Sequence, residues 1–396
     1  MITASTYPRW VGDTHPEFIA QLAQRLSAHY EVHVLVPHAH GAQLTECVNE
    51  VHITRFRYAP SRLETLAYGA GIIGNLKSAP WRWLLIPSFI SAQWWALITL
   101  CRRNNIALVH AHWLIPQGLV MAIARYLGWR STPVMLTCHG ADLFALRGRI
   151  FAWLKRAVLS RADRVNVVSS AMLAPCSTLG IPMHSIMVRS MGVDLRARFI
   201  ATTPWSQRQG LVYVGRLVEK KGVAVLVKAI AQLVHAKRRP TLKIIGDGPL
   251  RAQLEQLAEE LGCSEQIEFV GAVQNCDVAV HLNAARIAIV PSIIASNGDQ
   301  EGLGLVAVEA MGCGCALVCS DTAALMDVVT DGVNGLSVPM NNAQALANAI
   351  AELLDHDQHA QQLATEGRAS ALQDFDWDVV AQTFADSYAT LLSESD

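Results

Sequence analysis

LVYVGRLVEKKGVAVLVKAIAQLVHAKRRPTLKIIGDGPLRAQLEQLAEELG, Leu211 to Gly262, decides the fold class. LVYVGR is a short apolar run closed by Gly and Arg, with the length of a buried strand. VAVLVKAIAQLVHA carries apolar residues at helical spacing. TLKIIGDG repeats the strand pattern, and PLRAQLEQLAEELG repeats the helix, which Gly262 ends. Strands alternating with helices of this length build a parallel sheet covered by helices. Downstream, QIEFVG, RIAIVPS and ALVCSD continue the pattern. Upstream, Met1 to Ser5, EVHVLVP, IALVHAHW, PVMLTCHG and RVNVVSS follow the same rule. After the first of these come a loop, TYPRWVGDTHPEF, and a helix through Leu26.

Around Thr202 to Arg208 the alternation lapses into TTPWSQR, a polar Pro-containing joint. Two βα halves of similar size on either side predict an α/β protein with two doubly wound Rossmann-like domains. Ligands of such sheets sit outside the carboxyl ends of the strands, so the two domains are expected to face a central cleft. The expected boundaries are 1–200 and 201–375, with a closing helix over 376–396. Composition agrees with two sizeable cores: the chain has 396 residues, 52% of them hydrophobic and only 16% charged. A formal net charge of -1 lacks the basic excess of a nucleic-acid binder.

The nine cysteines show no disulfide framework. Cys313, Cys315 and Cys319 cluster, but no Cys-x-x-Cys pair or nearby His completes a zinc site. They read as small buried apolar residues in a reducing cytosol. The amino terminus shows no basic region leading into an apolar core and cleavage site, so a cytoplasmic protein is expected. WRWLLIPSFISAQWWALITL, Trp81 to Leu100, is apolar over about the 20 residues a spanning helix needs. Pro87 would break or kink a helix there. A pair of buried helices is the first reading and a Trp-rich membrane-facing surface the second. A spanning helix comes last, because it would cut one domain in two. GAGIIG, Gly69 to Gly74, matches G-x-G-x-x-G but follows SRLETLAY, which is not a strand. No acidic ribose partner follows at the required distance. A nicotinamide oxidoreductase is therefore a weak alternative.

The chemistry concentrates in three places. In EGLGLVAVEAMGCG, Glu301 and Glu309 stand eight positions apart, with Gly302, Leu303 and Gly304 after the first. A helix starting near Gly302 would aim unobstructed amides at a diphosphate. Glu309 would then lie about two turns in, roughly 12 Å along the axis. In YVGRLVEKKGV, Arg216 follows a strand and Lys221 opens the next helix; a planar fork and a point charge together suit a diphosphate. In LTCHGADL, His139 follows an apolar strand and could bond a sugar or phosphate. Each signal has a bland counterpart: solvated glutamates on an amphipathic helix, a basic helix start, a structural histidine.

Taken together and in order, these segments resemble the family 4 glycosyltransferases of the GT-B fold, the group 1 glycosyl transferases. GRLVEKKG, GDGPLR, the EGLGLVAVEAMGCG block and DGVNGLSVP follow the family's order. FDWDVVAQTFADSYATLL resembles its final helix, which crosses back to the first domain. The resemblance implies a retaining, metal-independent hexosyltransferase that uses a nucleotide-diphosphate sugar and no further cofactor. It implies that Glu309 holds the ribose hydroxyls and that Glu301 contacts the donor sugar. Arg216 and Lys221 would bind the diphosphate, and His139 would lie beside the donor sugar. Many members carry two adjacent glycines in the first loop. Here WVGDTHPEF has only Gly12, which still permits close backbone approach, and Asp13 and His15 are expected to face the acceptor.

The first domain is the acceptor side in this fold, and it contains Trp81, Trp83, Trp94 and Trp95. A glycan or lipid-linked acceptor at the inner face of a membrane is therefore expected. Glycosylation of a soluble small molecule, a nucleotide-sugar epimerase and a non-catalytic sugar-nucleotide binding protein are the alternatives. Base selection is expected near the GAV turn, Gly271 to Val273, through backbone contacts that leave little trace in the side chains.

Overall fold

The structure is a computed structural model, and it describes residues 1–10, 13, 17–69, 71–129, 132–144 and 148–394. The chain forms two compact units. The first comprises Met1–Val168, Met172–Gly192 and Val380–Asp396; the second comprises Ser169–Ala171 and Val193–Val379.

The first unit is built on β1 (Ile2–Thr3), β2 (Val32–Pro37), β3 (Thr45–Val48), β4 (Val51–Phe56), β5 (Val109–His112), β6 (Val134–Cys138), β7 (Arg164–Val167) and β8 (Ile186–Val188). The sheet order is β3-β4-β2-β1-β5-β6-β7-β8. All pairs are parallel except β3 with β4, a hairpin turned by Asn49 and Glu50, both at positive φ. The chain runs outward from β1 through β2 to β4, then returns to start β5 on the other side of β1. That reversal is the topological switch point of a doubly wound sheet, where ligands bind beyond the strand ends. The last helix, Trp377–Ser393, crosses back to this unit from Val380 onward. Val380, Phe384, Tyr388 and Leu391 are buried at helical spacing. The Tyr30 hydroxyl donates to Ala385 O at 3.0 Å.

The Trp-rich segment differs from the expected pair of buried helices. A tight turn over Pro80–Leu85 leads into one helix, Ile86–Arg103. Pro87 lies in its first turn, where a missing N–H breaks no helical bond. Only Phe89, Gln93 and Leu97 are buried, one stripe four residues apart, and Gln93 Nε2 donates to Thr3 Oγ1 at 3.1 Å. The stretch Pro80–Arg103 is long and apolar enough to cross a bilayer. Its buried stripe nevertheless packs into the core of the first unit, leaving an outward apolar face with Trp95 70% exposed. GAGIIG lies at the start of the helix Gly71–Ser78, with a loop and a short turn before it. The dinucleotide pattern therefore lacks its strand.

The second unit contains β9 (Leu211–Val214), β10 (Leu242–Ile245), β11 (Ile267–Gly271), β12 (Ile287–Val290), β13 (Ala316–Ser320) and β14 (Leu336–Val338). The order is β11-β10-β9-β12-β13-β14, parallel throughout. Its central strands β9, β12 and β13 are buried on both faces. Leu211, Tyr213, Ile287 and Ile289 pack under the helices Val223–His235, Arg251–Glu260 and Ala343–Asp355. Val212, Ala288 and Val290 face the helices Val278–Ala284 and Leu305–Gly312. Cys313, Cys315 and Cys319 are buried, free thiols in that second core. TTPWSQR belongs to this unit and is anchored rather than loose. Arg208 is fully buried, and its guanidinium donates to the carbonyls of Thr203 and Cys313 and to Asn283 Oδ1.

Candidate functional site

In the second unit the switch point falls between β9 and β12, and the sequence motifs converge there. β9 ends at Val214, so Arg216 lies just past its carboxyl end with an exposed side chain. A short turn, Glu219–Lys221, follows. It is pinned to the loop after β12: Ile293 N donates to Lys220 O at 2.8 Å, and Lys220 Nζ lies 3.2 Å from Asp299. Gly222 makes the turn possible. Its φ is +67, and a Cβ there would stand 1.8 Å from Pro291 O. The sequence KKG thus brings backbone from β9 hard against backbone from β12.

Lys221 Nζ contacts Glu301 Oε2 at 2.7 Å. Burial acts to raise the Glu301 carboxyl, but Lys221, with help from Lys220, outweighs it and holds the pKa below the ordinary value. The helix after Glu301 begins at Leu305, three residues later than the sequence suggests. Gly304, in the left-handed region at φ +88, caps it and stops the helix from extending back through Gly302. A Cβ on Gly304 would lie 2.8 Å from Leu325 Cδ2, so the cap is closely packed. Gly302 and the buried Leu303 form the approach to this cap. Glu309 consequently sits about one turn into the helix, roughly 6 Å along its axis from Leu305, and not two turns in. Burial pushes its carboxyl up to about 7 against the pull of Arg198 and Lys221.

In the first unit His139 follows β6, beside the switch strand β5. Asp142 organises its loop: Oδ1 accepts from His139 N at 3.0 Å and Oδ2 from Leu114 N at 2.9 Å. The His139 ring packs against Trp113 at 4.7 Å and Phe18 at 5.3 Å between centroids. Its Nε2 is 2.9 Å from His112 Nδ1. Burial lowers His139 to about 3, and burial together with neighbouring imidazoles holds His112 well below its ordinary value. Both rings are neutral at pH 7, so one donates to the other. The far nitrogen of His112, Nε2, is buried and has no hydrogen-bond partner among the described residues. A buried orphan donor is rarer than an orphan acceptor, so the proton belongs on His112 Nδ1. His139 then carries its own proton on Nδ1.

Sequence reading missed His112, Trp113 and Asp142. His112 ends β5, which pairs in parallel with β6, the strand before His139, and that register brings the two rings together. Gly12 and His15 lie outside the described residues. Asp13 is buried, and its carboxylate is gripped by Arg9 through Nε at 2.8 Å and Nη2 at 2.7 Å. Among the described residues no three His, Cys, Asp or Glu side chains group as metal ligands.

Residues 200–370 match the family described as Glycosyl transferases group 1, and residues 16–192 match the Glycosyl transferase 4-like domain. WcaL of Salmonella typhimurium, named for a glycosyltransferase role in colanic acid biosynthesis, is 30% identical over 70% of this chain and 69% of its own. The chain belongs to the group 1 glycosyltransferase family. Glycogen synthase of Mycobacterium tuberculosis is 30% identical over 71% of this chain and 68% of its own. A GDP-mannose-dependent alpha-(1-6)-phosphatidylinositol monomannoside mannosyltransferase of Mycolicibacterium smegmatis is 30% identical over 66% and 71%. Sucrose-phosphate synthase of Thermosynechococcus elongatus superposes with a TM-score of 0.77 at 22% identity, covering 99% of this chain and 98% of that one. Its likeness shows the fold, the pair of Rossmann-like domains named GT-B. The protein is a nucleotide-sugar-dependent glycosyltransferase.

Proposed function

We propose that this glycosyltransferase moves a hexose, with retention of anomeric configuration and without a metal, onto a lipid-linked or cell-surface glycan intermediate. The observation that carries the donor half is the convergence of Lys221, Glu301 and the capped helix at the second unit's switch point. Arg216, Lys221 and the first amides of the helix Leu305–Gly312 take the diphosphate and stabilise the charge that grows on it as it leaves. Glu301 binds hydroxyls of the donor sugar, Glu309 binds the ribose, and His139 donates from Nδ1 to the sugar or its phosphate. The acceptor hydroxyl attacks from the face that the diphosphate leaves. The bond from the anomeric carbon to the diphosphate oxygen breaks, and a bond to the acceptor oxygen forms. The acceptor proton passes to the departing oxygen.

The exposed face of Pro80–Arg103 supports a lipid-linked acceptor at the inner face of a membrane, with Trp residues at headgroup depth. Relatives act on acceptors as different as glycogen and phosphatidylinositol mannosides, by their names, so the first unit's own surface favours the lipid reading. The test is transfer from a panel of nucleotide sugars to lipid extracts and to soluble sugars. Stereochemistry is read by NMR, with and without chelator. Lipid-soluble product of retained configuration in chelator is expected. Epimerised nucleotide sugar without transfer, or magnesium-dependent turnover, overturns the reading.

A further inference from the structure

The first unit contains an apolar cavity of about 540 Å³ that the donor chemistry does not use. The volume lies in the range of about 300–1,000 Å³ typical of small-molecule sites. Leu76, Trp83, Phe89, Ile90, Leu119 and Leu154 are among its lining residues. Two features give it direction. Trp113 and Asp142, which pack and position His139, line it too, so the cavity reaches the His139 loop. Trp83, at 58% exposure, stands at the surface.

The surroundings of that opening are apolar and basic. The helix Arg149–Leu159 contributes Phe151 and Leu154 to the lining while Ile150 and Trp153 are exposed. Arg149 and Arg156 are exposed on the same helix. No aspartate or glutamate occurs between Glu64 and Asp142, nor between Asp142 and Asp163. The whole chain has a formal net charge of -1, so this basic excess is local. Exposed Trp and Ile interleaved with Arg, without acidic residues, complement an anionic lipid surface.

We infer that this cavity holds the hydrocarbon chain of a phosphate-bearing acceptor lipid, entering past Trp83 with its polar end at the His139 loop. The inference rests on the proposed lipid-linked acceptor and assigns its chain to a place. An apolar tail held here would fix the glycan end near His139 and make chain length a determinant of acceptor choice.

The probe is dodecyl phosphate, titrated calorimetrically into the full chain beside inorganic phosphate, with a diazirine-bearing analogue crosslinked by light and mapped by mass spectrometry. Dodecyl phosphate should bind at least tenfold more tightly than inorganic phosphate, with adducts within residues 66–90 and 113–154. Ile73→Trp, which fills the cavity, should weaken binding at least tenfold. A nucleoside diphosphate should still raise its melting temperature, which shows that it is folded. Equal binding of the two phosphates, adducts elsewhere, or concentration-dependent dimers that exclude the probe would overturn the inference. Hydrolysis of nucleotide sugar in water, measured without any acceptor, reports the transferase reading separately. Its presence with no chain binding rejects the cavity assignment alone.

Discussion

Lys221 and Glu301 meet at 2.7 Å although they come from opposite sides of the second unit's switch point. Each is mostly buried, and each is proposed to touch the donor, so the pair aligns two ligand contacts before any ligand arrives. Lys221→Ala should lower kcat by about 10²–10³-fold, the usual effect of losing one group that stabilises transition-state charge. Glu301→Ala in the same background should then cost much less than it does alone, because the two act as a unit. Steady-state kinetics of the double-mutant cycle checks this; additive losses would separate the two roles.

Glu309 gives a signed pH dependence. Its carboxyl is raised from 4.5 to about 7, chiefly by burial. Between those values the folded protein binds the proton that the unfolded chain has lost, so stability falls as pH rises through that window. Glu309→Gln removes this effect. The variant should gain on the native protein from pH 4.5 to 7 and hold a constant advantage above, on the order of 1–3 kcal/mol. Nucleotide affinity should fall in the same variant. Denaturant melts at pH 5 and pH 8 read the first effect, and an advantage independent of pH contradicts it.

How much of this was legible in the sequence depended on what each residue does to its own neighbourhood. Central strands such as β5, β6, β12 and β13 were legible because they are buried throughout and are therefore apolar runs, whereas β4, β8 and β14 went unread. β3 escaped because it is an edge strand, largely exposed, and its residues Thr45–Val48 carry no apolar pattern. The donor motifs were legible because glycine spacing betrays backbone approach, as at Gly222. The later helix start was not, because spacing alone does not say which of Gly302 and Gly304 takes the left-handed conformation that caps the helix; Gly304 does, at φ +88. His112 acts through His139 across two strands, a relation that sheet register creates and spacing along the chain does not show.

His112 is a positioning residue, and its removal should show as such. His112→Ala frees the His139 ring to turn. A displacement of about 1 Å costs on the order of 10²-fold in rate, so kcat should fall by about 10–10²-fold with little change in donor KM. His112→Asn keeps a side-chain N–H near Nδ1 and should recover part of the loss. Nitrogen-15 NMR should find His139 protonated on Nδ1 in the native protein and a tautomer mixture in His112→Ala. An unchanged tautomer with a full rate loss would assign His112 a purely structural role.

Arg208 tests the second unit's stability without touching the donor. Its charge is fully buried and pairs with no carboxylate among the described residues; it is satisfied by Thr203 O at 3.0 Å, Cys313 O at 2.6 Å and Asn283 Oδ1 at 3.2 Å. Those acceptors join the joint at Thr202–Arg208 to the end of the helix Val278–Ala284 and the turn before β13. Truncation leaves several buried oxygens without donors, each costing about 1–3 kcal/mol. Arg208→Ala should therefore lose about 3–5 kcal/mol, as when one member of a buried charged network is removed. Arg208→Lys keeps the charge but has no planar fork to reach three directions at once, so it should recover less than half. Urea unfolding followed at a probe within the second unit measures both. A loss below 1 kcal/mol for the alanine variant would mean that water replaces the guanidinium and that the joint is not anchored there.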